Sequence, residues 1–155
     1  MKKFFIKKIF PSILLLTLIG GGLFYYQTAQ GVNRTWDGGG TDGTCGGSAG
    51  DGNKWACAAN WSGDTAPTAS DVAIFDGTST KDATIAANIS VAGISINAGY
   101  TGTITQSGSF TVTVGSSHYS QADGTFTGGS GAIAITGTYT QSGGTFTSTS
   151  GTLTI

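Results

Sequence analysis

The chain has 155 residues, a net charge of −1 and only 10% charged residues. Beyond residue 31, three basic residues face eight Asp, and this balance excludes a nucleic-acid interface, which needs clustered Lys and Arg. Gly, Thr and Ser are abundant, and the apolar residues include many Ile, Val, Phe and Tyr. Because these residues suit pleated, half-buried strands, the composition predicts one all-β domain with many turns.

Residues 1–31 have the composition of a membrane-targeting segment. Four of the seven basic residues lie in the first eight positions, and Ile9 to Tyr26 form an apolar stretch. This pattern predicts a helix that is either a signal peptide, cut after Gly31, or an uncleaved membrane anchor over residues 9–26. We favour the signal peptide. The rest of the protein is therefore expected in the extracellular space or at the cell surface.

Cys45 and Cys57 are the only cysteines, and both lie in Gly-rich sequence after the targeting segment. In an oxidising compartment they are expected to form a disulfide. A zinc site is disfavoured, because the chain has no CxxC motif and its one histidine, His118, lies far beyond Cys57 in the sequence. We expect His118 at a surface turn.

A sequence repeat with a fixed offset of 20 occupies the second half of the chain. The motif YSQADGTF, which starts at Tyr119, recurs as YTQSGGTF from Tyr139, and a less regular copy starts at Ile104, at a shorter offset of 15. Apolar residues alternate within each unit, which is strand periodicity. A unit this short is stable only when it stacks on its neighbours. The sequence therefore predicts a parallel β-helix of about 15–20-residue coils over residues 83–155.

Stacking in this register places equivalent side chains in columns along the axis, where Gln amides can bond to one another. An antiparallel sandwich is the alternative, but it does not explain near-identical residues at a fixed offset. The predicted columns are Tyr119 with Tyr139, Phe126 with Phe146, and Gln106 with Gln121 and Gln141.

The repeat, YSQADGTFTGGSGAIAITG followed by TYTQSGGTFTSTSGTLTI, resembles the coils of bacterial secreted β-helix proteins, including autotransporter passengers and repeat adhesins. The segment from Thr35 to Phe75 is similar to the Trp-containing segment that often opens such proteins. The resemblance covers about residues 35–155 and implies a secreted, adhesin-like protein. The sequence shows no membrane barrel or sorting signal, and Ile155 falls within a repeat. We therefore expect a longer protein, or self-association through an uncapped solenoid end.

Residues 32–82, between the targeting segment and the repeats, contain all three Trp of the chain. One interpretation is an N-terminal cap, in which Trp36, Trp55 and Trp61 pack on one another and cover the first coil. The other is a glycan site, in which the same rings stack on sugars. We favour the cap, because the three side chains are close enough in sequence to pack together.

Four aspartates of the Gly-rich loops form a candidate calcium site: Asp37, Asp42, Asp51 and Asp76. The sequence has no DxDxDG loop, and aspartates in Gly-rich loops are usually turn residues. We therefore expect no cofactor, with calcium as the weaker alternative.

No catalytic constellation is recognisable in the repeats. From residue 83 onward the only charged residue is Asp123, whereas glycosidases need paired acids. A Thr/Ser surface suits packing, weak hydrogen-bonded contacts or glycan attachment. We expect a non-enzymatic, secreted or cell-surface structural protein that contacts a host or environmental surface or a glycan, and the membrane through its N-terminal segment. The alternatives are a carbohydrate-binding module and the N-terminal part of a polysaccharide-degrading β-helix enzyme.

Overall fold

The computed structural model describes residues 17–19, 22–24 and 31–155, which belong to two separate units, residues 1–30 and residues 31–155. In the first unit, β1 (Thr17–Ile19) and β2 (Gly22–Phe24) pair antiparallel. The sequence predicts a helix here, and the structure has strands at these positions. The rest of the predicted signal or anchor helix lies outside the described residues. No helix in the described parts of the chain is long and apolar enough to cross a membrane.

Residues 31–155 form an all-β solenoid of parallel strands, which confirms the predicted fold class. Two short 3-10 helices, Asp51–Asn53 and Ala58–Asn60, lie between its first two strands. The strands are β3 (Asn33–Thr35), β4 (Val72–Phe75), β5 (Ala83–Ile85), β6 (Ile89–Ile96), β7 (Thr103–Gln106), β8 (Val112–Gln121), β9 (Thr125–Thr127), β10 (Ile133–Ile135), β11 (Tyr139–Gln141), β12 (Thr145–Thr147) and β13 (Leu153–Thr154).

The solenoid has three sides and about four turns. Side 1 contains the first halves of β6 and β8 with β10 and β13, and side 2 contains their second halves with β3, β4 and β11. Side 3 is a separate sheet of four strands in the order β12-β9-β7-β5. A register shift between Val91 and Gly93 marks the corner where β6 passes from side 1 to side 2.

The coils have the length of the longer predicted unit or exceed it. Ile94 pairs with Tyr119, a step of 25 along the chain, and Tyr119 pairs with Tyr139, a step of 20. The shorter offset between Ile104 and Tyr119 was misleading, because Ile104 lies on side 3 and pairs with Phe126. In the segments that start at Ile104 and Tyr119, a strand leads into a Gly-containing turn. This local similarity does not reflect equivalent positions in the coil.

The predicted glutamine column is only partly correct. Gln121 pairs with Gln141 on side 2, but Gln106 ends β7 on side 3 and is not in that column. The side-chain amide of Gln106 instead hydrogen-bonds to backbone groups at a corner of the coil. Its Nε2 donates to the carbonyl of Gly131, 3.2 Å away, and its Oε1 accepts from the Gly129 amide at 2.9 Å.

His118 lies within β8, half-buried, and not at the predicted surface turn. It pairs with Gly93, where a β-carbon would lie only 3.0 Å from the His118 carbonyl oxygen. A side chain at residue 93 would therefore require the neighbouring strand to shift by a few tenths of an ångström.

The parallel sheet begins before residue 83, since β3 and β4 already pair in register. The inward residues of successive coils form one continuous core, to which Phe75, Ile85, Ile104 and Tyr119 belong. Alternation along each strand points these side chains inward and leaves their neighbours on the surface.

Candidate functional site

The three tryptophans form one buried aromatic cluster at the first coil. The ring centroids of Trp36 and Trp61 are 5.1 Å apart, and those of Trp55 and Trp61 are 4.8 Å apart. All three rings also contact Phe75 of β4. Trp36 and Trp61 have no exposed surface, and Trp55 is 3% exposed. The cluster is part of the hydrophobic core.

This burial removes the geometric basis of the predicted glycan site. A stacking platform needs an exposed ring face, and these faces contact other aromatic rings. Two of the indole N–H groups are also satisfied internally: Trp36 Nε1 donates to the Lys81 carbonyl at 2.9 Å, and Trp61 Nε1 donates to the Trp55 carbonyl at 2.7 Å. The arrangement is the one expected for a cap.

The predicted disulfide between Cys45 and Cys57 is present, with 5.2 Å between the two Cα atoms. It ties the Gly-rich loop that contains Cys45 to the segment between the two 3-10 helices. The loop has little apolar side-chain surface of its own, so a covalent link restricts a segment that packing alone holds weakly.

Each of the four candidate calcium ligands accepts hydrogen bonds from backbone amides of the protein. Asp37 and Asp76 each accept a hydrogen bond from the amide two residues further on, and Asp42 accepts from Gly50 and Gly52. Among the described residues, no group of three or more metal-ligating side chains comes together. The structure therefore does not assemble the predicted calcium site.

Asp51 is the fourth of these aspartates, and its partners are a lysine and a backbone amide. Its carboxylate pairs with Lys54 Nζ and accepts a hydrogen bond from the Ser48 amide at 3.0 Å. These interactions lower the pKa of Asp51 below its ordinary value, and the hydrogen bond with Lys54 has the largest effect.

A lysine that the sequence did not single out fixes the Gly-rich loops of the cap to the segment that enters β5. Lys81 Nζ donates to the carbonyl oxygens of Gly38, at 3.1 Å, of Gly52, at 2.8 Å, and of Gly40. It also lies 3.5 Å from Asn60 Oδ1. A single Lys in a Gly-rich chain carries no recognisable motif, because its partners are backbone oxygens from distant segments.

The stacked tyrosines and glutamines form a ladder on side 2. Tyr119 Oη donates to Gln121 Oε1 at 3.0 Å, and Tyr139 and Gln141 repeat this bond one coil later at 2.8 Å. Gln121 Nε2 donates to the Thr145 carbonyl, 3.0 Å away in the next coil. The Gln121 amide therefore links two coils through a backbone carbonyl, whereas Gln141 donates to Gly144 within its own coil, and the amides do not bond to one another as predicted.

Side 3 presents two columns of outward threonines, which were not predicted from the sequence. Alternation places their side chains on the surface while the residues between them, such as Phe126, are buried. The signal in the sequence is the recurring T-x-T triplet of β7, β9 and β12. One column contains Thr103, Thr125 and Thr145; the other contains Thr84, Thr105, Thr127 and Thr147.

No protein-family model, no characterised protein and no solved structure matches this chain. Its functional interpretation therefore depends on the geometry of its own residues.

Proposed function

We propose that residues 32–155 form a structural module outside the cell, secreted or displayed at the surface, with an adhesin-like role and no catalytic activity. The observation that carries this proposal is the register of the stack. Identical residues occupy equivalent positions in successive coils, as Tyr119 and Tyr139 do with rings 5.2 Å apart. Such a stack presents the same side chains at regular intervals along its surface, which supports a structural role.

The chemistry of the surface supports the same proposal. From Ala83 to Ile155 the only charged residue is Asp123, so side chains for acid–base chemistry are scarce along the coils. The outward positions of side 3 carry hydroxyl and methyl groups, which suit contact with another surface.

Two features of the sequence support a location outside the cell. The basic and apolar N-terminal segment has the pattern of an export signal, with residues 9–26 as the anchor if it is retained. The disulfide between Cys45 and Cys57 is the kind of bond that persists in oxidising compartments.

The location is tested with single cysteines in the cells that make this protein. Both natural cysteines are in the disulfide, so a Ser142→Cys variant has one free thiol, at an exposed position. Ser95→Cys is the matched control, since Ser95 is 8% exposed. We expect a membrane-impermeant maleimide to label Ser142→Cys on intact cells or in the medium, and Ser95→Cys only after denaturation.

Labelling of Ser142→Cys that requires cell lysis would contradict the proposed location. The adhesin-like role is tested by deleting the gene, which we expect to reduce the retention of cells on solid surfaces. Unchanged retention, with normal labelling of the parent strain, would contradict that role and leave the location intact.

A further inference from the structure

We propose that side 3 binds ice, through the two columns of threonines that its strands align. The partner is the ordered oxygen lattice of an ice surface. This inference deepens the proposed function, and it rests on that function only for the place where the protein acts.

The threonines of side 3 form a two-dimensional lattice. Thr103 pairs with Thr125 and Thr105 with Thr127, and β12 continues both columns. Parallel strands lie about 4.8 Å apart, and alternate residues of one strand are about 6.6 Å apart. An ice surface also presents oxygen atoms in a regular two-dimensional array, so several threonines of side 3 can hold water molecules at lattice positions at the same time.

The lattice on side 3 is regular, whereas the other two sides are not. The ladders between β5, β7, β9 and β12 continue without a register shift, while the β6–β8 ladder shifts at the corner of sides 1 and 2. Side 1 has one outward column of mixed residues, including Ser90, Thr113 and Ala134. On side 2 the outward Ser95 and Ser120 hydroxyls are 3.0 Å apart and bond to each other.

The side-3 hydroxyls have no competing partner in the protein. In residues 31–155, the threonines whose side chains form hydrogen bonds are Thr41, Thr44, Thr65, Thr68 and Thr149. None of them lies on side 3. Each side-3 hydroxyl is therefore available to bond to a water molecule held at a lattice position. The adjacent methyl group restricts the orientations of the water molecules next to it.

The threonine columns of side 3 are uncharged, as an ice surface is. The charged residues nearest to it in sequence and pairing lie at its margins. Lys54 bridges to Thr84 and Asp82 precedes β5, both at the N-terminal end of the array. Asp123 lies in the turn before β9, where its carboxylate accepts hydrogen bonds from the amides of Gly99 and Gly124. The threonine columns themselves carry no charge.

A polysaccharide is the other neutral, repetitive partner. Sugar rings are usually bound by aromatic faces, and the aromatic side chains of β9 and β12, Phe126 and Phe146, point into the core. Ice therefore fits the array better.

The test measures how much protein enters ice. A solution of the purified chain is frozen slowly on a cooled probe, and the protein in the ice and in the remaining liquid is quantified. The Thr127→Lys variant places a long charged side chain in the centre of the array. Thr113→Lys is the matched control, because it makes the same substitution at an outward strand position of side 1.

We expect the unmodified chain and Thr113→Lys to be enriched in the ice, and Thr127→Lys to fall to the level of a protein that ice excludes. Denaturation curves of both variants are measured first, to check that each remains folded. A second substitution, Thr105→Lys, is expected to have the same effect as Thr127→Lys.

Exclusion of the unmodified chain from ice would overturn the inference, and so would equal enrichment of Thr127→Lys and Thr113→Lys. Sedimentation of the chain with insoluble cellulose or chitin, without enrichment in ice, would overturn it in favour of a polysaccharide. Each of these results leaves the maleimide labelling of Ser142→Cys unchanged, so the proposed location is judged separately.

Discussion

The phenol ring of Tyr139 lies parallel to that of Tyr119, with centroids 5.2 Å apart and planes at 10°, one coil further along the chain. The two residues make the same hydrogen bond to a glutamine two residues later, but in different surroundings. Tyr119 is 1% exposed and contacts Phe126 and Phe146, whereas Tyr139 is half-buried. The pair therefore separates the effect of burial from the effect of the bond itself.

Removal of the hydroxyl is expected to be costly only in the inner coil. Tyr119→Phe leaves Gln121 Oε1 buried without its partner, so we expect the free energy of unfolding to fall by about 1–3 kcal/mol. Tyr139→Phe is the matched control and is expected to stay within about 0.5 kcal/mol of the parent, because water can replace the lost bond. Urea denaturation of the two variants measures both values, and equal losses would contradict this interpretation.

Stability is expected to decrease in alkali because of two buried tyrosines. Burial raises the pKa of Tyr119, and burial followed by the nearby Asp82 charge raises that of Tyr100. The unfolded chain releases these protons near pH 10, while the folded chain keeps them. Their contribution is therefore complete below about pH 10 and is lost as the pH rises towards the folded pKa values.

The measurement is the free energy of unfolding at a series of pH values above 10. Tyr119→Phe has one ionisable phenol fewer than the parent. The free energy of unfolding of the variant is therefore expected to fall less steeply with pH, and the two slopes are expected to differ by about 1.4 kcal/mol per pH unit. Identical slopes for the two proteins would show that Tyr119 ionises normally in the folded state. Tyrosinate absorbance provides a second readout, since it is expected to rise together with unfolding.

Lys81 is expected to fix the Gly-rich loops of the cap to the segment that enters β5. Lys81→Met keeps the aliphatic length but removes the donor to the Gly38, Gly40 and Gly52 carbonyls, and we expect a loss of about 1–3 kcal/mol. Lys54→Met is the comparison, because the Lys54 side chain is 40% exposed and its ammonium pairs with one carboxylate, that of Asp51, so a smaller loss is expected. Thermal unfolding followed by Trp fluorescence reports on this region, and a Lys54→Met effect as large as that of Lys81→Met would contradict the assignment.

Trp fluorescence is expected to be insensitive to sugars. All three Trp of the chain belong to the buried cluster, so emission is expected at short wavelength and with weak quenching by acrylamide. Soluble chitin and cellulose oligomers are expected to change neither. The denatured protein, in which acrylamide quenches freely, is the control. Quenching of the folded protein by an oligosaccharide would restore the carbohydrate-binding alternative.

The fixed offset between the last two repeats identified the stack correctly, because parallel coils place residues of equal role at equal intervals. It predicted the Tyr119–Tyr139 and Phe126–Phe146 pairs, and both are present. The repeat pattern was unreliable for Gln106, where a short Gln-Ser-Gly match occurs on another side of the coil. So short a match at a turn does not show on which side of the coil the preceding strand lies.

The sequence by itself determined the all-β class, the parallel stacking and the disulfide, because periodicity 2, a fixed repeat and a lone pair of cysteines are local signals. Only the tertiary structure decided the three-sided coil, the burial of the three Trp rings and the cage of carbonyl oxygens around Lys81. It also decided which threonines share a surface, since the register between strands depends on how the whole core packs. These features arise from contacts between residues far apart in the chain, which no local pattern encodes.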